Sequence, residues 1–142
     1  MKLLIDTNII LDFLLSRTNK DYAKKIFELT LDNDTYEYLS SSTITDIFYI
    51  LNKQIKDSYK TQSLIRKLLT FISIANVTDK EINMALDLSW KDFEDAIQYA
   101  VAKSNNVNVI ITNNIKDFEK NDISIVTPKE FLESIENNKK NI

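Results

Sequence analysis

The sequence predicts a single α/β domain, a three-layer sandwich with helices on both faces of a mainly parallel central sheet. Three observations predict it. Short apolar or β-branched runs alternate with longer segments of helical periodicity in the order strand, helices, strand, as expected when helical crossovers join parallel strands. The runs Lys2-Leu3-Leu4-Ile5 and Val109-Ile110-Ile111 each stop on a polar cluster, Asp6-Thr7-Asn8 and Thr112-Asn113-Asn114. Ligands of open α/β sheets bind just beyond such strand ends. Finally, 142 residues are enough for one real core and too few for two independent ones.

In chain order, the first strand ends on Asp6 and a helical run follows from Ile9 to Leu15. Asp6 has two readings, a cap for that helix or an acid at the mouth of a site. Asn19 or Asp21 caps a second helix over residues 22–31, with Tyr22, Ala23, Ile26, Phe27 and Leu31 on its apolar face. Asn33 ends it. In a chain with Gly 0, Asn is the next-best residue for left-handed turn positions, and it recurs at Asn76 and Asn105-Asn106.

Residues 36–39 form a short strand, and Ser40-Ser41-Ser42-Thr43 opens a third helix to about Gln54. That helix is very apolar, yet Asp46 interrupts it. The acid lies either on a solvated side beside Tyr49 or, at a cost if unpaired, against the interior of a site. Residues 58–69 carry Tyr59, Leu64, Leu68 and Leu69, surrounded by Lys56, Lys60, Arg66 and Lys67. Such a basic helix presents a solvated face or a contact for RNA phosphates.

Residues 71–75 are the next strand, and residues 79–88 a helix with Ile82, Met84, Ala85 and Leu88 inward. Trp90 is core or partner surface. In Asp92-Phe93-Glu94-Asp95, three acids crowd one helix start. Asp92 is a natural N-cap, and Glu94 and Asp95 complement the helix dipole. The same dipole favours ionised carboxylates, the form a metal ligand must take.

The buried strand 109–111 is followed by Asp117, and residues 123–126 form the last strand. Pro128 starts the final helix, through Ile135, at its favoured first position. The domain therefore spans residues 1–136, with 137–142 as a frayed tail, and shows neither repeat nor linker. Parallel strands joined by right-handed crossovers place their ends on one edge, where Asp6, Thr112 and Asp117 meet and which Asp95 and Asp46 can reach.

Composition narrows the chemistry. Hydrophobic residues at 44% and charged residues at 27% are ordinary for a water-exposed globular domain. No apolar run is long enough to cross a bilayer and there is no signal-peptide layout, so a cytoplasmic protein is expected. With Cys 0 and His 0, thiolate and imidazole catalysis and Cys- or His-ligated metals are excluded. With Gly 0 there is no glycine-rich phosphate loop. What remains is carboxylates, hydroxyls, amides, Lys, Arg and Tyr, a set suited to Mg²⁺ or Mn²⁺. The net charge of −3 disfavours a broad basic nucleic-acid surface, although cations held among acids invert the local field.

Four segments together carry a resemblance: Leu4-Ile5-Asp6-Thr7-Asn8, Ser42-Thr43-Ile44-Thr45-Asp46-Ile47, Asp92-Phe93-Glu94-Asp95-Ala96 and Ile111-Thr112-Asn113-Asn114-Ile115-Lys116-Asp117-Phe118. In order and separation they resemble the blocks of the PIN-domain family, and the small size resembles its stand-alone VapC-type toxin members. The resemblance implies a metal-dependent endoribonuclease, usually a homodimer, often held inactive by a small antitoxin. By position it implies an acidic quartet of Asp6, Asp46, Asp95 and Asp117, with Thr7, Asn8, Thr112 and Asn114 in support and Asp92 as a candidate fifth acid. Two positions depart from the pattern. The second acid is often Glu where this chain has Asp46, and a basic residue often stands where it has Asn113.

The chemistry of the residues agrees with that implication. Crowded carboxylates raise one another's pKa unless a cation lies among them, and Mg²⁺ or Mn²⁺ can both relieve the repulsion and assist phosphodiester hydrolysis. Asp6 and Asp95 are expected as principal ligands, Asp117 and Asp46 as completing the site, and Thr112 or Asn8 as orienting water or phosphate. Three other readings are a PIN-like module that binds RNA or protein without cutting, a housekeeping RNA-processing nuclease, and a dehalogenase-like phosphatase. The last requires a second Asp where the chain has Asn8.

Overall fold

The computed structural model describes residues 1–32, 34–119 and 122–140. Five strands, β1 (Lys2–Ile5), β2 (Tyr36–Ser40), β3 (Ser73–Ala75), β4 (Val109–Ile111) and β5 (Ser124–Val126), form one sheet in the order β3-β2-β1-β4-β5. Every pairing is parallel. Among the described residues seven α-helices flank it: α1 (Thr7–Leu14), α2 (Lys20–Glu28), α3 (Ile44–Ile55), α4 (Ser58–Leu68), α5 (Asp79–Leu88), α6 (Phe93–Ser104) and α7 (Pro128–Lys140). None is long and apolar enough to cross a membrane.

Strand alternation sorts the core into two layers. Leu3, Ile5, Leu39 and Ile111 pack with Ile9, Ile10, Ile26, Ile47, Leu51, Leu68 and Phe131, contributed by α1, α2, α3, α4 and α7. Leu4 and Ile110 face the other way, onto Ala85 of α5, Ala96 and Tyr99 of α6, and Trp90. Trp90 is thus core, its ring tilted on Tyr99 and edge-on to Phe118.

The strand order positions the site. From β1 the chain moves outward through β2 and β3, then returns to place β4 on the opposite side of β1. This reversal makes β1 and β4 the switch point, where their carboxyl ends diverge into a crevice. Ile5 is in register with Ile111, and Asp6 N–H extends the ladder by donating to Ile111 O at 3.0 Å. Asp6 and Thr112 therefore emerge side by side.

Several local expectations change. Tyr22 and Leu31, expected inward, are exposed, Leu31 by 84%: α2 gives way to a 3-10 turn at Leu29–Leu31 that takes Leu31 off the apolar stripe, and Tyr22, in the first turn of α2, lies outside the buried face of Ala23, Ile26 and Phe27. Ile82 of α5 and Tyr59 of α4 also face solvent. The third strand begins at Ser73, with Phe71 in the preceding turn, and α7 continues to Lys140. Left-handed backbone occurs at Asn106 as expected, but not at Asn76 or Asn105; the other left-handed positions among the described residues are Ser16, Lys56 and Ser89, with φ between 53° and 57° for the four. The expected helix end at Asn33, and the end of the tail at residues 141–142, lie outside the described residues.

Candidate metal centre

Asp6 is the residue before α1, with extended backbone (φ −69°, ψ 149°), and its side chain makes no capping hydrogen bond. Its two oxygens are committed elsewhere. Thr112 Oγ1 donates to Oδ2 at 2.7 Å, and Gln98 Nε2 donates to Oδ1 at 2.9 Å. Of the two readings of Asp6, the cap is the one the geometry removes.

Asp6 lies on the wall of a cavity of about 280 Å³ at the carboxyl edge of the sheet. Thr7, Asn8, Asp46, Asp92, Glu94, Asp95, Asn114 and Asp117 share that wall, with Tyr49 and Ile50. All four expected acids, and the fifth, are therefore brought together. Asp92, Asp95 and Asp117 each offer a carboxylate oxygen within 4.8 Å of the others. Asp92 also caps α6, accepting from Asp95 N–H at 3.0 Å, as expected of an N-cap. Asp46, in the first turn of α3, is exposed and still lines the cavity beside Tyr49. A solvated position and a place on the cavity wall turn out to be compatible.

Thr112 is fully buried and does not line the cavity. Its hydroxyl donates to Asp6 and accepts from Asn114 N–H at 3.0 Å, which ties the β4 loop to the first strand. That places it against the Asp6 carboxylate and outside the cavity wall. Asn113 is occupied too, donating to Asp12 Oδ2 at 2.9 Å.

Two residues were not singled out for the site by sequence reasoning. Glu94 lines the cavity, and burial raises its pKa, followed by the charges of Asp46, Asp6 and Asp92. Gln98 is buried to 1% exposure and reaches both Asp6 and, at 3.4 Å, Asp95 Oδ1. Its place three residues after Asp95, on the same face of α6, was the available signal. Gln98 Oε1 and Thr7 Oγ1 are buried without a hydrogen-bond partner among the described residues.

Electrostatically the cavity is one-sided. Asp95 is pushed up to about 8, first by burial and then by Asp6, Asp92, Asp117 and Glu94. Among the described residues no Lys or Arg lines the cavity, and the ion pairs Arg17–Asp12 and Lys103–Asp122 include no residue of its wall. Oxygen donors crowded without a protein cation form the donor set that a hard divalent ion favours. The residues present fit such an ion.

Comparison with known proteins bears on the family and the fold. The family model of the PIN domain matches residues 2–116. Ribonuclease VapC1 of Aquifex aeolicus (strain VF5) is 32% identical over 138 residues, covering 93% of this chain and 94% of that protein. The fold is similar to VapBC2 from Rickettsia felis bound to a DNA fragment from its promoter (TM-score 0.70, 20% identity, 88% of this chain and 97% of that one). It is also similar to a toxin-antitoxin complex from Klebsiella pneumoniae (TM-score 0.66, 27% identity, 89% and 97%).

Proposed function

Given that the chain belongs to the PIN-domain family, we propose that it is a divalent-metal-dependent endoribonuclease acting as the toxin of a toxin–antitoxin pair. The observation that carries this reading is the meeting of Asp6, Asp92, Asp95 and Asp117, from three separate parts of the chain, around one cavity that no basic residue lines among those described. Asp6, Asp95 and Asp117 would hold Mg²⁺ or Mn²⁺ with Asp92, and Asp46 and Glu94 complete the wall. When bound, the ion supplies positive charge for the phosphate and makes water a better nucleophile.

The chain's own residues do the rest. Gln98 and Thr112 fix the Asp6 carboxylate by donating one hydrogen bond to each oxygen. Asn8 and Asn114 bring side-chain amides to the wall, able to donate to phosphate oxygens. Tyr49 and Ile50 give one side of the cavity an apolar surface on which a base or ribose can rest. Hydrolysis then adds water across one P–O bond, leaving a phosphate on one fragment and a hydroxyl on the other.

The reading includes a small antitoxin and a homodimer as partners and action in the cytoplasm. An apolar groove of about 450 Å³ between α3 and α4, with Ile44, Phe48, Ile65 and Leu69 in its walls, supports a protein partner. The test is incubation of the purified chain with RNA in Mg²⁺ or Mn²⁺ and in chelator. Cleavage that needs the ion and disappears in Asp95→Asn is expected. Intact RNA under all conditions would leave a non-cleaving binding module, and cleavage that persists in chelator would overturn the metal mechanism.

A further inference from the structure

Glu37 is an acid in an apolar layer. It is in register with Leu3 of β1, and alternation puts it on the face of Leu3 and Leu39, where the larger core cluster packs. It is 2% exposed, and neither carboxylate oxygen has a hydrogen-bond partner among the described residues. A buried polar group without a partner is costly, and the fold retains this one in its sheet.

Glu37 also lines a second cavity, of about 490 Å³, at the amino ends of β2 and β3. That is the opposite end of the sheet from the acidic cavity, so a role for it is independent of the nuclease reading. Asp32, Thr30, Thr70 and Phe71 contribute to the wall, and among the described residues no Lys or Arg does. The hydroxyls of Thr30 and Thr70 already donate to Phe27 O and Lys67 O, leaving oxygen lone pairs for an incoming donor. Among the described residues the wall carries no cationic side chain.

Size and lining choose among cations. One buried carboxylate is too few ligands for a divalent metal, which takes six or more oxygens, and the volume falls within the range of small-molecule pockets. Phe71 and Leu31 offer apolar surface for methylene groups and an aromatic ring for a cation. We propose that this cavity binds an organic cation, a primary ammonium or guanidinium on a short aliphatic chain, with Glu37 as its counter-ion. Burial, which holds the Glu37 pKa at about 8 without a partner, is the state such a ligand relieves.

The test is calorimetric titration of the full chain with n-butylammonium and n-butylguanidinium, with n-butanol as the neutral control. Saturable binding of the cations, none of butanol, and at least a tenfold loss of affinity in Glu37→Gln are expected. A blocked Gly-Arg-Gly peptide run alongside assigns the source: tighter binding than the free cation marks a polypeptide side chain, weaker binding a small molecule. Should Glu37→Gln not fold, Thr70→Trp, at an exposed wall position, is expected to block the cavity and abolish binding. Carboxyl NMR of the wild type is expected to show the Glu37 titration midpoint moving down as cation is added. No saturable binding up to about 10 mM, the weak end of specific affinity, or equal binding by Glu37→Gln, overturns the proposal.

Discussion

Gln98 Nε2 stands 2.9 Å from Asp6 Oδ1 and 3.4 Å from Asp95 Oδ1, so one neutral amide bridges two buried carboxylates. A Lys or Arg there would hold the acids equally well but would supply the charge that a divalent ion is proposed to bring. The amide orients the carboxylates and leaves their charge uncompensated. Partners of this kind fix the direction of a metal ligand's lone pairs.

Gln98→Leu keeps the volume and removes the bridge. The affinity for Mn²⁺ and the rate of RNA cleavage are expected to fall by about 10–100-fold, the usual effect of losing a partner that orients a ligand. Calorimetric Mn²⁺ titration reads the first without reference to activity. Unchanged Mn²⁺ affinity in a folded variant would remove the positioning role.

Asp6→Asn preserves the shape of the side chain and the acceptor for one of its two donors. Cleavage is expected to drop by about 100-fold or more, the order of loss when a charge-stabilising group is removed, with the melting temperature within a few degrees of wild type. Wild-type activity in this variant would refute Asp6 as a ligand.

Divalent ion should stabilise the native state by mass action. At a concentration a hundredfold above its dissociation constant, Mn²⁺ is expected to add about 2.7 kcal/mol. The effect should shrink in Asp117→Asn, because the Asp92, Asp95 and Asp117 oxygens lie within 4.8 Å of one another. A melting curve indifferent to both Mg²⁺ and Mn²⁺ would count against a preformed site.

Glu37 gives stability a pH dependence of known sign. Burial raises its native pKa to about 8, against an ordinary value of 4.5, so the native state keeps a proton that the unfolded chain releases. Stability from this group is fully present below about pH 4.5 and is lost as pH rises to about 8. Relative to Glu37→Gln, the wild type is expected to lose on the order of 4 kcal/mol between about pH 5 and pH 9. Denaturant unfolding at several pH values measures it, and parallel profiles for the two proteins would show that Glu37 is not held protonated.

Lys56, which follows α3, has a left-handed backbone (φ 57°, ψ 33°) that costs a residue bearing a Cβ about 1–2 kcal/mol. Lys56→Gly removes that cost but adds freedom to the unfolded chain, so a net gain of about 0.5–1 kcal/mol is expected. A lowered unfolding midpoint would mean that the Lys56 side chain contributes more than its backbone costs.

The sequence by itself determined the order of the elements and the kind of chemistry open to the chain. The alternation of short apolar runs with segments of helical periodicity carries the first. The absence of His, Cys and Gly carries the second. It also pointed to Asp6, Asp46, Asp95 and Asp117, since each stands where a strand ends or near where a helix begins.

Only the tertiary structure decided which atoms face which. Asp6 does not cap α1 because its oxygens are taken by Thr112 and Gln98, contacts across 106 and 92 residues, and Gln98 joins it to Asp95 by a step within α6. Local propensity contains no term for such distances. They follow from the return of β4 to the far side of β1, and the partnerless burial of Glu37 follows from how the helices close over β2, which no spacing of residues along the chain records.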